Sequence, residues 1–148
     1  MAGIQYAGEY VLKEASLVCS SGVTFDLVGT IISFEIFENL FSTALSGSFI
    51  FVDTDNIVTN GPIIGQEYLY LKVGTPSLDG YDIDFTNVPF TTYKINMRED
   101  ANKNTQILQV SFTSPEMLKN NRIRVSKSYT ETIDKIVTSI LRDEKYIN

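Results

Sequence analysis

The stretch from Phe25 to Val73 contains three runs with a period of two. They are FDLVGTIISFEIF, SGSFIFVD, in which Phe49 and Phe51 face one side and Ile50 and Val52 the other, and EYLYLKV. A strand turns successive side chains to opposite faces, so this period of two predicts three β-strands. The first run switches parity near Val28 and Gly29. One extra residue there would restore the buried face and bend the strand, so we predict a single bulged strand over Thr24–Phe37.

A second pair of alternating runs, FTTYKINMRE and TQILQVSFTS, flanks the polar stretch DANKN. Two such runs around a short polar loop indicate a β-hairpin. Residues 9–19 also alternate, with an interruption near Glu14 and Ala15. The predicted fold class is therefore mainly β, an antiparallel barrel-like sandwich. Its other predicted strands are Thr24–Phe37, Ser48–Asp53, Glu67–Val73, Phe90–Glu99 and Gln106–Thr113.

The C-terminal part of the chain changes to a helical period. Ser114 before proline predicts a capped turn over Pro115–Lys119. Apolar residues then recur at steps of three and four, at Ile133, Ile136, Val137, Ile140 and Leu141. This pattern predicts an amphipathic helix over Tyr129–Asp143, with Ser128 and Glu131 as its capping box. The apolar stripe could pack on the β-domain, open a further domain or meet a partner.

The length of 148 residues suits one domain with an appendage. We predict an N-terminal arm (1–8), a β-domain (9–114) and a segment of turn, extended chain and helix (115–148). No apolar run approaches the ~20 residues of a membrane-spanning helix, so no membrane partner is expected. The N-terminus also lacks the basic and apolar regions of a signal peptide.

The chain contains no histidine. Histidine is the commonest general base and the commonest metal ligand, so its absence excludes histidine-based triads. We predict that the protein is not an enzyme and that it has no catalytic residue, no cofactor and no metal site. The single cysteine, Cys19, stands in the apolar run ASLVCS and is interpreted as a small buried hydrophobe. One cysteine forms no internal disulfide, which fits synthesis inside a cell.

The connector Phe37–Leu45 is apolar without being strand-like. Phe37 breaks the alternation of its strand, and Leu40 and Phe41 follow with few turn residues around them. These side chains fill either a pocket on a neighbouring subunit or the open end of their own barrel. The candidate subunit-interface residues are Phe37, Leu40, Phe41, Ile136 and Ile140.

Two stretches together resemble a known family. One is GSFIFVD at Gly47–Asp53, followed by Ile57, Gly61, GQE at positions 65–67 and YLYLKV. The other is VSFTSPEMLKNNRIRVSKSYTETIDKIVTSILRDE at the end of the chain. In order and spacing they resemble the N-terminal, tail-tube-like domain of the baseplate hub protein of contractile-tailed, T-even-type phages. The resemblance runs from about Leu12 to Asp143.

This resemblance implies a structural virion protein without enzymatic activity. Hub proteins join the tail tube to the central spike around a channel that DNA crosses without specific binding. The implied partners are tube and spike proteins and further copies of the chain, as a threefold homo-oligomer. The implied location is the phage tail and baseplate, after synthesis in the host cytoplasm. Hub proteins are much longer than this chain, so we expect either a second polypeptide that supplies the remainder or a shorter relative.

Two other functions remain open from the residues. A monomeric carbohydrate- or peptide-binding β-module would use Tyr68, Tyr70 and Tyr81 as a stacking platform. An enzyme or a calcium site would use the loop acids Asp79, Asp82 and Asp84. Their spacing lacks the glycine and the terminal glutamate of an EF-hand loop, and glycoside hydrolysis needs two carboxylates across a cleft.

The charge balance leads to a prediction about the channel. The net charge is −6, from 12 basic and 18 acidic side chains. A basic lumen would bind the DNA backbone, so we predict an acidic or neutral lining. The candidate channel-facing acids are Asp79, Asp82, Asp84, Glu99 and Asp100. Reversing the charge of those that face the lumen should leave assembly intact and slow DNA ejection, more strongly at low salt. A lumen dominated by Lys and Arg would contradict this prediction.

Overall fold

The computed structural model describes residues 8–76, 78 and 80–143, and the chain divides after Pro115 into two compact units. The mainly β class with few helices is confirmed. The strands are β1 Val11–Val18, β2 Thr24–Asp26, β3 Ile31–Phe37, β4 Ser46–Asp53, β5 Tyr68–Gly74, β6 Ile83–Asp84, β7 Phe90–Asn102 and β8 Thr105–Thr113. The helices are α1 Ile57–Asn60, α2 Pro115–Arg122 and α3 Ile133–Arg142.

The described strands form one antiparallel sheet in the spatial order β2-β1-β5-β7-β8-β4-β3, with β6 beside β5. The predicted β7–β8 hairpin is confirmed, and β4 pairs with β8 along its whole length. In contrast, β5 pairs with β7 at two positions, Tyr68 with Thr91 and Leu69 with Phe90. The sheet therefore consists of two well-paired halves that meet along a short seam between β5 and β7.

Across the described strands, the hydrogen-bonded ladder does not close into a barrel, and β2 and β3 are its two ends. The prediction of one bulged strand over Thr24–Phe37 is wrong. The chain pairs with β1 as β2, turns over residues 27–30, and pairs with β4 as β3. The Asp26 carboxylate starts this turn by accepting a hydrogen bond from the Val28 amide at 3.0 Å. The parity switch in the sequence thus marks a change of partner strand.

The 27–30 turn brings the two ends of the sheet together. On one side the Leu27 amide donates to the Ala15 carbonyl of β1 at 2.7 Å. On the other side the Val52 amide of β4 donates to the Thr30 carbonyl at 2.9 Å. Four residues reach at most about 14 Å, so the sheet must curve strongly between these ends. Its curvature folds the two halves over a common core.

Phenylalanine side chains form the centre of that core. The ring centroid of Phe49 lies 5.4 Å from that of Phe51 and 6.1 Å from that of Phe112, and Phe90 lies 4.7 Å from Phe112. Each fully buried Phe stabilises the fold by about 1.5–3 kcal/mol. The predicted alternation is confirmed for the buried faces of β4 and β8. Other fully buried apolar side chains are Ala15, Leu17, Leu27, Leu69, Leu71, Leu108 and Val110.

The hairpin turn is tighter than the sequence suggested. Asn102 still pairs with Thr105, so the turn is Lys103-Asn104 and not the five-residue loop DANKN. The Asn102 side chain accepts a hydrogen bond from the Asn104 amide at 2.9 Å, which stabilises the turn locally. β7 is longer than β8 because register shifts insert extra residues at Tyr93, Asn96 and Ala101. Each extra residue reverses the alternation and bends the strand.

The second unit begins with α2, which extends three residues beyond the predicted turn Pro115–Lys119. Glu116 lies in its first turn, and Lys119 and Arg122 lie in its last turn. This order suits the helix dipole, which favours acids at the N-terminus and bases at the C-terminus. The favourable charges explain why the helix continues past one turn.

The amphipathic helix α3 is confirmed but shorter than predicted. It begins at Ile133, four residues after the predicted start at Tyr129. Its N-cap is Thr132, in extended conformation at φ −67° and ψ 151°. The capping box predicted at Ser128 and Glu131 is therefore wrong. Such a box requires its first residue at the N-cap itself, and Ser128 lies outside the helix.

Gly47 allows a close approach in the middle of the sheet. A methyl group there would overlap the Glu35 carbonyl oxygen and lie 2.5 Å from the Phe112 ring. Gly47→Ala should therefore lower the free energy of unfolding by about 2–3 kcal/mol, the cost of overpacking a core. The control is Gly29→Ala, where a methyl group meets nothing within 4 Å. It should change stability by less than about 0.5 kcal/mol. Urea denaturation measures both, and equal midpoints would contradict the prediction.

Candidate functional site

The connector between β3 and β4, residues 38–45, holds two large apolar side chains out into solvent. Leu40 is 93% exposed and Phe41 is 94% exposed. The turn beneath them is ordered by hydrogen bonds. The Asn39 side chain accepts from the Phe41 amide at 2.9 Å, and the Asn39 carbonyl accepts from the Ser42 amide at 2.9 Å. We call the pair Leu40 and Phe41 the knob.

The far end of the connector is tied to the end of β8. The Leu45 amide donates to the Ser114 hydroxyl at 3.2 Å, and the Ser114 amide donates back to the Leu45 carbonyl at 2.9 Å. The Thr113 hydroxyl donates to the same carbonyl at 3.1 Å. The knob is thus exposed on an anchored turn. Its exposure shows that the alternative of a plug in the chain's own core is wrong.

Acidic side chains accompany the knob. Glu35 on β3 and Glu38 at the start of the connector are both exposed, and Phe37 between them is 57% exposed. Among the described residues neither carboxylate has a salt-bridge partner. This end of the sheet therefore presents apolar surface with a local negative charge.

A buried carboxylate organises the loop before β5. Glu67 is fully buried, and its side chain accepts hydrogen bonds from the amides of Ile64 at 2.6 Å and Gly65 at 3.2 Å. The Thr92 hydroxyl of β7 donates a short hydrogen bond to the same carboxylate. The Thr92 amide also donates to the Glu67 carbonyl at 2.9 Å. Glu67 therefore fixes the loop to β7 beside the seam of the sheet.

An apolar groove of about 220 Å³ lies between this loop and β7. We call it the groove. Ile64 is 61% exposed and Tyr93 is 46% exposed, so both present apolar surface to solvent. Its lining residues are Ile63, Ile64, Gly65, Tyr93, Lys94 and Ile95.

Lys94 of the groove and Glu35, which precedes the knob on β3, lie at opposite ends of one cross-strand row. The ladder pairs Glu35 with Ser48, Ser48 with Ser111, and Ser111 with Lys94. Three strand spacings separate the two ends, about 14 Å along the sheet. Lys94 is exposed and has no salt bridge among the described residues. The row is therefore negative on the knob side and positive on the groove side.

The loop acids Asp82 and Asp84 are neutralised by lysines. Asp82 lies 2.7 Å from the Lys13 ammonium, and Asp84 lies 2.8 Å from that of Lys72. The hydrogen bond from Lys72, together with those from Thr86, holds the pKa of Asp84 well below its usual range. The same contact with Asp84 raises the pKa of Lys72. These two proposed channel-facing acids belong to a balanced network, which supplies little net negative charge.

The other proposed channel acids differ in their surroundings. Glu99 and Asp100 are exposed near the end of β7, where the Asp100 carboxylate accepts a hydrogen bond from the Gln106 side chain at 2.7 Å. Asp79 lies outside the described residues. Glu99 and Asp100 therefore keep a negative charge that no lysine neutralises within the described chain.

The tyrosines of the stacking-platform alternative do not converge. Tyr68 and Tyr70 lie on β5, where Tyr68 is 49% exposed and Tyr70 is half-buried. Tyr81 is 74% exposed and precedes β6, which pairs with Lys72 and Val73 at the far end of β5. Tyr68 and the β6 end are about 15 Å apart along the strand. This spacing disfavours one platform built from all three rings.

The remaining candidate residues lie on α3 and directly after β1. Ile136 and Ile140 are half-buried, while Ile133 is 80% exposed. None of the described α3 side chains is fully buried. Cys19 is buried, as expected, and its thiol contacts the Gly61 carbonyl at 3.2 Å. Burial, followed by the charge of Glu67, raises the pKa of this thiol.

Two buried carboxylates, Asp53 and Glu67, were missed by the sequence interpretation. The Asp53 carboxylate accepts hydrogen bonds from the amide of Ile57 at 2.9 Å and that of Asp55 at 3.2 Å, which orders the start of α1. Both acids share the parity of the buried apolar residues on their strands, and this was the available signal. Within the described residues no group of three acids or cysteines is placed to hold a metal ion.

Comparisons with known proteins found no match for this chain. No family model, curated protein sequence or solved structure matches it. Among the described helices, none is long and apolar enough to cross a membrane.

Removing the charge of Glu67 tests its role in the groove. Glu67→Gln removes the charge and one acceptor oxygen, so the single remaining oxygen cannot accept the bonds from both Thr92 and the loop amides. Unfolding free energy should fall by about 2–3 kcal/mol, the cost of a lost charged hydrogen bond and an unsatisfied buried group. Amide hydrogen exchange at Ile64 and Gly65 should accelerate. The surface control Glu99→Gln should change stability by less than about 0.5 kcal/mol. Unchanged exchange in Glu67→Gln would contradict this role.

Proposed function

We propose that this protein is a structural virion protein, a baseplate hub or tail-tube adaptor that joins the tail tube of a contractile-tailed phage to its central spike. The proposal rests on the resemblance between about Leu12 and Asp143 and on an antiparallel β-domain followed by helices. The strongly curved sheet is, in this proposal, a tail-tube-like, barrel-like sandwich. Its free end strand β3 would lie beside a neighbouring chain in a ring.

The observation that carries the proposal is the exposure of the knob. Leu40 and Phe41 are more than nine-tenths exposed on a turn that hydrogen bonds hold in place. Ordered, adjacent, large apolar side chains in water are typical of surfaces that a partner covers. An assembly protein needs such anchors on rigid turns, because the chain then loses little entropy when the partner binds.

A second surface suits passage of DNA. On β4 and β8, the side chains that alternate with the buried phenylalanines are hydroxyls, amides and aliphatic groups. The Gln109 amide donates to the Ser48 hydroxyl at 3.4 Å, and the Asn96 amide of β7 donates to the Ser111 hydroxyl at 2.6 Å. These neutral groups satisfy one another and offer no cluster of positive charge. Such a face would let the polyanion pass without binding it.

Co-assembly provides the test. The mass of the chain in solution should increase when the tube and spike proteins encoded with it are co-expressed, as measured by light scattering after size exclusion. Phe41→Ser should weaken assembly about 30-fold or more, whether the knob contacts another copy of the chain or a different tail protein, because this is the loss expected for a hot-spot aromatic. Its unfolding free energy should change by less than about 0.5 kcal/mol, since Phe41 is exposed.

The matched control is Val88→Ser, which removes a 54% exposed apolar side chain from another loop and should leave assembly unchanged. A wild-type chain that remains a monomer with every tube and spike protein would overturn the proposed function. If the isolated Phe41→Ser chain lost as much free energy of unfolding as the complex loses binding free energy, Phe41 would support folding instead.

A further inference from the structure

We propose that the groove of one copy receives the knob of a second copy, so that the chain associates head to tail. This inference rests on the proposed function in taking the connector as an assembly surface, and it names the partner and its binding site. The occupant is a second copy of this chain because the same molecule presents both halves of the contact uncovered. Size and charge support that choice.

The groove matches the knob in size and polarity. Its volume is about 220 Å³, and a cavity of about 150 Å³ lined by apolar side chains holds a benzene ring. Ile64 and Tyr93 provide apolar walls at its open side. The ring of Phe41 is therefore of a size that the groove accommodates.

The charges around the two surfaces are complementary. The knob follows directly after Glu38 and lies at the Glu35 end of the cross-strand row, whereas Lys94 lines the groove. When the knob of one copy enters the groove of the next, Glu38 meets Lys94 across the contact. Within the described part of a single copy these charges have no salt-bridge partner. A charged pair at the rim sets orientation and partner choice, while the apolar contact supplies affinity.

The contact joins two different surfaces of the same chain, so it is heterologous. Contacts of this kind propagate, and they close into a ring when the rotation between neighbours permits. The fixed geometry of the groove matters here, because Glu67 ties both Ile64 and Gly65 to β7. The knob surface is smaller than the ~800 Å² per partner of a standard interface, so self-association of the isolated chain should be weak and concentration-dependent.

Exchanging the charges of Glu38 and Lys94 in the full-length chain tests the inference. Sedimentation equilibrium from about 10 μM to 1 mM should show reversible self-association of the wild type, in the range of weak affinities. Glu38→Lys and Lys94→Glu should each raise the dissociation constant at least fivefold at low salt. The double variant Glu38→Lys/Lys94→Glu should restore it to within about twofold of the wild type, because the pair is reformed with reversed sign. Glu131→Lys and Lys103→Glu are exposed controls for the same charge changes and should leave association unchanged.

Mixing variants tests the direction of the contact. Phe41→Ser lacks the knob and Ile64→Ser lacks the groove wall, so neither should associate alone. An equimolar mixture should form a dimer, since the intact knob of the Ile64→Ser chain can enter the intact groove of the Phe41→Ser chain. Failure of the mixture to associate, or failure of the double charge variant to recover, would overturn the inference.

Different results would overturn the proposed function and the knob-in-groove contact. A wild-type chain that stays monomeric at 1 mM, yet joins the co-expressed tube or spike proteins, would overturn the knob-in-groove contact and leave the proposed function standing. Self-association with the predicted charge and mixing behaviour, without any co-assembly, would overturn the proposed function and support this contact.

Discussion

The hydrogen bonds of the buried Glu67 carboxylate hold together the weakest part of the sheet. β5 and β7 share two paired positions, and directly beyond them the Thr92 amide and hydroxyl both bond to Glu67. The same carboxylate orders the loop through the amides of Ile64 and Gly65. A charged acceptor in a dry environment forms strong hydrogen bonds, and losing one partner leaves a costly unsatisfied group. The Glu67 side chain therefore reinforces a junction that has only two ladder pairs and the backbone bond from the Thr92 amide to the Glu67 carbonyl.

Because β5 and β7 diverge beyond this seam, a groove opens between β7 and the loop before β5. Beyond Thr92, the extra residue Tyr93 shifts the register of β7, and the loop held by Glu67 runs beside it. The groove is the space between them. On the other side of the same sheet half, the chain leaves the end strand β3 and presents the knob. Because the strands between these two surfaces are continuously paired, their spacing is fixed, which is what a repeating contact between copies requires.

The charged side chains of the β-domain fall into two groups, those paired within the chain and those without a partner among the described residues. Asp82 and Asp84 are balanced by Lys13 and Lys72, so the loop that looked most acidic in the sequence contributes little net field. Charges without a salt-bridge partner among the described residues flank the knob, at Glu35 and Glu38, and the groove, at Lys94, and others lie near the hairpin turn. Surface charges without a partner in their own chain contribute little to folding, but they direct association. This separation supports an assembly protein better than a module that binds a small ligand in one pocket.

The sequence alone was enough to predict the mainly β class, the hairpin of β7 and β8, and the inward face of β4, β5 and β8. A period of two decides which side chains share a face, and this local rule held from Phe49 to Phe51 and from Leu108 to Phe112. The parity of Asp53 and Glu67 also matches that of the core, although their burial was not predicted. The amphipathic helix α3 was equally visible, although its start was not, because the helix begins after Thr132, which forms no side-chain cap, and not after the capping pattern at Ser128.

Tertiary structure decided which strands pair, and hence where the chain breaks and what stays exposed. Residues 24–37 became two strands because β1 and β4 bind their two halves at opposite ends of the sheet, a choice that alternation does not encode. Phe41 could have filled the core or faced solvent, and its bonds to Asn39 and the anchor at Ser114 decided for solvent. The buried Glu67 carboxylate takes one of its donors from Thr92, 25 residues away. Such long-range pairing is fixed by the packing of the whole domain, so the pattern of any single segment leaves it open.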